Sequence, residues 1–391
     1  MADKVGGEQA PETVAAANGI GGENGFGAVA PPIYLSSTFV FPGFEQPGRY
    51  EYSRTDNPTR AMLADTLARL EGGAGAVVAA SGLAALDLIL ARLRRDDPVL
   101  APHDCYAGTA RLLDAHAERG HFTVEYVDQS NEQRMEWALR NSPALVLIET
   151  PSNPLMRIVD IAHVCERAHA AGARVVVDNT FLSPALQQPL ALGADYVVHS
   201  TTKYLNGHSD VVGGAVIAKT GEDAQALAHW ANVTGVIGAP FDSYMTLRGV
   251  RTLFPRMERQ QRTAGVVAAF LKTHSAVEAV YYPGLPDHPG HAIAARQQRG
   301  FGAMLSFTLA GGREAVRAFV EALRIFNLAE SLGGIESLVA HPKTMTHAYL
   351  GPDAMAAAGI TDGLLRLSIG LEDQDDLVRD LDQAFQALAR R

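Results

Sequence analysis

The chain has 391 residues, 47% hydrophobic and 19% charged, with a formal net charge of −10. That length allows two or three domains around a large core, and the acidic balance argues against nucleic acid or an anionic membrane as main partner. No apolar run reaches the roughly 18 residues that a membrane span needs, and two cysteines, Cys105 and Cys165, are too few for a disulfide scaffold or a cysteine zinc site, so no metal is expected. The N-terminus carries Asp3 and Glu8 and no apolar leader core, which points away from secretion and toward a reducing cytosol.

Residues 1–60 read as an N-terminal arm. Gly19 to Gly27 and Pro31-Pro32 are poor in core-forming pattern, yet Tyr34, Phe39, Phe41, Phe44, Tyr50 and Tyr52 are too aromatic for a disordered tail. Such an arm packs on another subunit. A helix follows, with Leu63, Leu67 and Leu70 on one face and Gly72-Gly73 as its stop. Residues 61–255 then alternate strand and helix. Strands are expected at Ala76 to Ala80, Pro98 to Ala101, Ala144 to Glu149, Arg174 to Asp178 and Asp195 to His199. Helices are expected at Leu83 to Arg95 and through Ile161, Val164, Cys165 and Ala168 up to Gly172. Continuous apolar strands in this rhythm imply an α/β fold with a parallel sheet covered on both faces. From 256 to 391 the character changes to a smaller α/β domain, with strands at Ala303 to Leu309 and Leu364 to Ile369 and a last helix striped by Leu377, Leu381, Phe385 and Leu388.

Only five of the 33 basic residues are lysines: Lys4, Lys203, Lys219, Lys272 and Lys343. Lys203 stands among hydroxyls, in Ser200-Thr201-Thr202-Lys203-Tyr204, just after the apolar run ending at Val198. Arginine is always protonated, whereas a lysine amine can be deprotonated by its surroundings and form a Schiff base. Alone, Lys203 could equally be an exposed loop lysine. Asp178 ends the strand Arg174 to Asp178, where α/β sheets place ligands. It could hold a pyridine nitrogen protonated or simply cap a turn. Ser81-Gly82-Leu83 opens a helix, which suits a phosphate as well as plain capping by Ser81. Ser200 and Thr202 offer further hydroxyls. Arg54, in Tyr52-Ser53-Arg54, could grip a phosphate across a subunit interface. Tyr106 could stack on a cofactor ring or be an ordinary half-buried tyrosine. Arg366, inside the apolar strand Leu364 to Ile369, needs a partner. A substrate carboxylate or a buried acid would serve.

Read together and in order, Tyr52-Ser53-Arg54 with Asn57-Pro58-Thr59, Ser81-Gly82, Glu149-Thr150-Pro151-Ser152-Asn153-Pro154, Asp178-Asn179-Thr180-Phe181, Ser200-Thr201-Thr202-Lys203-Tyr204 and Glu330 to Ser337 resemble the Cys/Met-metabolism pyridoxal-phosphate family, from about residue 14 to 385. The resemblance implies the type I PLP-dependent transferase (aspartate-aminotransferase-like) fold and a homotetramer of two tight dimers. A closer likeness, in His103-Asp104-Cys105-Tyr106, Phe181 to Gln187, Tyr204 to Val212 and Ala294 to Gln298, is to its bacterial trans-sulfuration enzymes. It implies that Lys203 carries pyridoxal 5′-phosphate and that Asp178 pairs the ring nitrogen. Ser81, Gly82, Leu83, Ser200 and Thr202 would hold the phosphate, with Tyr52 and Arg54 reaching in from the neighbouring subunit. Tyr106 would stack on the ring. Asn153 would sit near the substrate carboxylate, clamped by Arg366 and Ser331. Glu51, Arg111, Asn232, Tyr244 and Glu330 would contact the substrate further out or set the reaction. Thr55 stands where some members have a second arginine, and Glu51 where they have aspartate. These positions bear on the acyl donor and on synthesis against cleavage.

The activity so implied is γ-replacement on small amino acids, O-succinyl-L-homoserine plus L-cysteine giving L-cystathionine and succinate. The alternatives are γ-cleavage of cystathionine to cysteine, ammonia and 2-oxobutyrate, or sulfhydrylation of an acylhomoserine. A nicotinamide-dependent dehydrogenase would need a Gly-x-Gly-x-x-Gly strand–helix junction, which the chain lacks.

Overall fold

The computed structural model describes residues 9–22, 26–348 and 350–389. Asp3, Lys4, Glu8 and part of the Gly19–Gly27 stretch fall outside them. A seven-stranded sheet is built from β1 (Gly75–Ala79), β2 (Pro98–Pro102), β3 (Thr123–Val127), β4 (Leu145–Glu149), β5 (Arg174–Asp178), β6 (Tyr196–Ser200) and β7 (Gly214–Ala218). Their order is β1-β7-β6-β5-β4-β2-β3. Neighbours run parallel except β7, which is antiparallel to both β1 and β6.

The inner strands are apolar through their centres because both faces are covered there. Val175 and Val177 enter one core cluster, with Leu63, Leu67 and Leu70 of the helix Pro58–Glu71. Val176 enters the other, with Leu86 and Ile89 of the helix Gly82–Leu90. Asn57 caps the first of these helices through the Thr59 and Arg60 amides, and Gly72 ends it at φ 72°, the left-handed conformation that glycine tolerates.

A second sheet holds β8 (Val277–Tyr281), β9 (Met304–Leu309), β10 (Asn327–Leu328), β11 (Leu338–Ala340) and β12 (Leu364–Ser368), in the order β10-β11-β12-β9-β8. The last helix, Gln374–Ala389, buries Leu377, Leu381 and Phe385 in the same core cluster as β9 and β12. The strand expectations agree with β1, β2, β4, β5, β6, β9 and β12 to within a residue or so. The helix expected to reach Arg95 stops at Leu90. The sheet is not wholly parallel, because β7 inserts between β1 and β6. Both cysteines are buried and free. Among the described residues no helix is long and apolar enough to cross a membrane, and no group of three or more His, Cys, Asp or Glu could hold a metal.

Candidate active site

Asp178 and Lys203 come together because β5 and β6 are adjacent and parallel, with Asp178 in register with Val198. The 24 residues between them hold one helical turn, Ser183–Leu186, a 3-10 turn and β6. The Lys203 N–H donates to the Ser200 carbonyl, and the Gly207 N–H to the Lys203 carbonyl at 2.7 Å, so the segment after β6 is tightly wound. The Lys203 side chain is half-buried, and its Nζ donates to Ser331 Oγ at 2.7 Å. Burial pushes this amine down to about 8; the nearby Arg366 cation acts in the same direction and Glu330 against it.

The Asp178 carboxylate accepts the Thr180 N–H at 2.9 Å, and Thr180 Oγ1 accepts the Ser200 N–H at 2.9 Å, which joins the two strand ends. Burial raises the Asp178 pKa, opposed by the Thr180 bonds and His199. Glu149, at the end of β4, lies in register beside Asp178. It is 6% exposed. Burial, reinforced by the neighbouring Asp178, pushes its pKa well above the usual carboxylate value.

Ser81 Oγ does cap its helix, accepting the Ala84 N–H at 3.1 Å. The junction is also built for close approach. A Cβ on Gly82 would lie 2.9 Å from Ser200 Cβ, and one on Gly214 would lie 2.0 Å from the Ser81 carbonyl oxygen. Ser81-Gly82, half-buried Leu83 and Ser200 therefore form one cluster, brought together by β7. Thr202 Oγ1 donates to the Gly213 carbonyl and accepts the Gly213 N–H at 3.0 Å, which holds the loop's return.

Arg366 on β12 is 3% exposed. Its Nη1 donates to Asn153 Oδ1 at 2.8 Å and its Nη2 to the Ser331 carbonyl at 2.9 Å. Both partners are neutral oxygens, so the alternative of a buried acid partner gives way. The guanidinium sits near Lys203 and, among the described residues, forms no salt bridge; burial lowers its pKa to about 10, opposed by the more distant Glu330 and Glu149. The Asn153 carbonyl is bonded to the fully buried His347 at 3.1 Å. Tyr106 is 42% exposed, and its ring lies over Gly108, where a Cβ would come within 2.4 Å of Cε1.

The outer residues are grouped differently. Tyr52 and Arg54 lie exposed in the arm. Arg54 Nη1 donates to the Asn232 carbonyl at 2.7 Å and to its Oδ1 at 2.8 Å, and Thr55 Oγ1 lies 3.3 Å from the same oxygen. Among the described residues no hydrogen bond joins Tyr52 or Arg54 to Ser81, Ser200 or Lys203 of its own chain. Glu51, Arg111 and Glu330 are exposed and Tyr244 is half-buried. A cavity of about 340 Å³ lies elsewhere, between the helices Glu132–Leu139 and Ile161–Ala170, and is lined by none of these residues.

The sequence had singled out Asp178 as a strand-terminal acid but not the side chain of Glu149, although the same signal marks both. Thr180 and Gly214 were also missed as parts of the site. The arrangement gathers an amine whose pKa burial lowers to about 8, a buried acid, a helix N-terminus in contact with a seryl residue, and an arginine available to a carboxylate.

The family model described as Cys/Met metabolism PLP-dependent enzyme matches residues 12–386. The chain is 55% identical over 376 residues to a cystathionine gamma-synthase of Escherichia coli (strain K12), covering 96% of this chain and 97% of that one. It is 44% identical to a cystathionine gamma-lyase of Bacillus subtilis (strain 168), covering 94% and 97%. The structure of cystathionine gamma synthase from Xanthomonas oryzae pv. oryzae in complex with cystathionine superposes with a TM-score of 0.97 at 55% identity, over 98% of this chain and 99% of that one.

Proposed function

The chain belongs to the Cys/Met metabolism PLP-dependent enzyme family, and from that premise we propose that it catalyses the cystathionine gamma-synthase reaction. O-succinyl-L-homoserine and L-cysteine give L-cystathionine and succinate: the Cγ–O bond breaks, succinate leaves with the electron pair, and the cysteine sulfur forms the new Cγ–S bond. The observation that carries the reading is the Lys203 amine, held at Ser331 with its pKa lowered to about 8, with Asp178 at the end of the adjacent strand and an arginine whose hydrogen-bond partners are neutral oxygens.

These residues fit pyridoxal phosphate. Lys203 would join it, Asp178 would pair the ring nitrogen, and Ser81, Gly82, Leu83, Ser200 and Thr202 would take the phosphate at the helix N-terminus. Tyr106 would cover the ring. When bound, the cofactor supplies the electron sink for loss of the substrate's Cα proton. Lys203, once its nitrogen is free, takes the Cα proton and carries protons between Cα and Cβ, a role that an amine with a pKa near 8 suits. Arg366, with Asn153 and Ser331, would turn its guanidinium to the substrate α-carboxylate. Glu330, Glu51, Arg111, Asn232 and Tyr244 would form the outer wall.

The exposed arm residues Phe26, Val40 and Phe44 and the pairing of Arg54 with Asn232 rather than with Ser81 or Ser200 support an arm (residues 1–60) that completes a neighbouring subunit's site. They support a tight dimer, and by family likeness a cytosolic homotetramer. Residues 61–255 would form the cofactor domain and 256–391 the C-terminal domain. Cleavage of cystathionine is the second reading, favoured by the 44% identity to a gamma-lyase. Incubating the cofactor-loaded protein with O-succinyl-L-homoserine and L-cysteine, and separately with L-cystathionine, decides between them. Cystathionine and succinate from the first mixture, with little product from the second, support the synthase. Rapid release of cysteine and 2-oxobutyrate from the second makes the protein a lyase.

A further inference from the structure

We propose that Glu149 is a positioning residue: one buried carboxylate fixes Tyr106 and the Asn153–Arg366 clamp relative to Asp178. Glu149 Oε2 accepts the Tyr106 N–H at 2.8 Å, and Oε1 accepts the Asn153 N–H at 3.1 Å. Tyr106 follows β2 and Asn153 follows β4, so the two loops leave different strands. Their backbone amides converge on a single side chain, which stands in register beside Asp178. Asn153 in turn accepts Arg366. One carboxylate thus sets the position of a ring-covering residue, a carboxylate clamp and the ring acid's neighbour.

The choice of residue follows from hydrogen-bond chemistry. An ionised glutamate offers two diverging acceptor oxygens and no donor, and the Tyr106 and Asn153 amides favour that form against burial; a glutamine offers one acceptor and sets its amide N–H₂ against the second N–H. A buried carboxylate without a cationic partner is costly, and among the described residues no cation forms a salt bridge with Glu149. Holding the two loops together does not by itself call for it, because Asp104, two residues before Tyr106, already joins them. Asp104 Oδ2 accepts Ser152 Oγ at 2.7 Å and Arg157 Nη1 at 2.5 Å.

The inference rests on the functional reading above for what Tyr106 and Asn153 do, but not for the bonds themselves. Two measurements test it. In wild-type protein, hydrogen exchange followed by mass spectrometry should show the Tyr106 and Asn153 amides exchanging ~100-fold or more slower than free amides. Free exchange at either overturns the inference without any variant. In Glu149→Gln loaded with pyridoxal phosphate, the cofactor stays bound, since Lys203, Ser81 and Ser200 are untouched. The induced circular dichroism of the cofactor band falls at least about twofold, and KM for O-succinyl-L-homoserine rises ~10-fold, the worth of one charge-assisted hydrogen bond. A variant that melts earlier but keeps the wild-type dichroism and KM would mean a structural role only and would overturn the proposal. Loss of the functional reading looks different: wild-type protein itself would then fail to exchange succinate for cysteine.

Discussion

Lys203→Met should make the cofactor-free protein more stable, although it abolishes turnover. Methionine keeps most of the lysine stem and removes the charge. Lowering an amine from its ordinary 10.5 to about 8 means that the fold disfavours the protonated form by ~3 kcal/mol. Against this stands the lost Lys203–Ser331 bond, worth about 1 kcal/mol. The net expectation is a gain of ~2 kcal/mol at pH 7. The sign across pH follows from the folded pKa lying below the unfolded one. The penalty in wild type is complete below about pH 8, fades as pH rises from there to 10.5, and is absent above. Urea unfolding of both apoproteins at one protein concentration, at pH 7 and again near pH 10.5, reads the difference directly. Equal stabilities at pH 7, or a gain that does not shrink as pH rises, would refute the claim that burial holds this amine near neutrality.

Arg366→Lys replaces a planar fork by a point charge and cannot grip both Asn153 and a carboxylate; KM for the acylhomoserine should rise ~10- to 100-fold with cofactor binding unchanged, and an unchanged KM would remove Arg366 from the clamp. Gly82→Ala puts a Cβ 2.9 Å from Ser200 Cβ, an overpacking worth ~1–3 kcal/mol; affinity for pyridoxal phosphate, followed by equilibrium dialysis, should fall while the far-ultraviolet dichroism stays constant. Arg54→Ala and Lys203→Ala should each be inactive, yet subunits mixed and reassembled should regain activity, because one mixed site holds both residues. No recovery from well-mixed oligomers would place Arg54 in its own chain's site.

Local patterns carried much of this protein. The apolar runs at Val175–Val177 and Val197–Val198 announce strands buried on both faces, because only a sheet covered on both sides tolerates them. A lysine among hydroxyls at one strand end and an aspartate at another are legible as chemistry from residue type and spacing. Gly72 likewise announces its helix end. The partnerships among these groups were not legible. Gly82 comes close to Ser200 because β7, a strand read neither as present nor as antiparallel, slots between β1 and β6 with Gly214 against the Ser81 carbonyl. Arg366 could have faced a buried acid or a ligand, and only its placement against Asn153 and Ser331 decided that its charge is left for something else. Glu149 reads as one more residue of a motif until β4 and β5 are set in register. Sequence fixes the propensity and chemistry of each segment, since these depend on neighbours a few residues away. Which segments meet depends on sheet order and register, which are settled by the packing of the whole core.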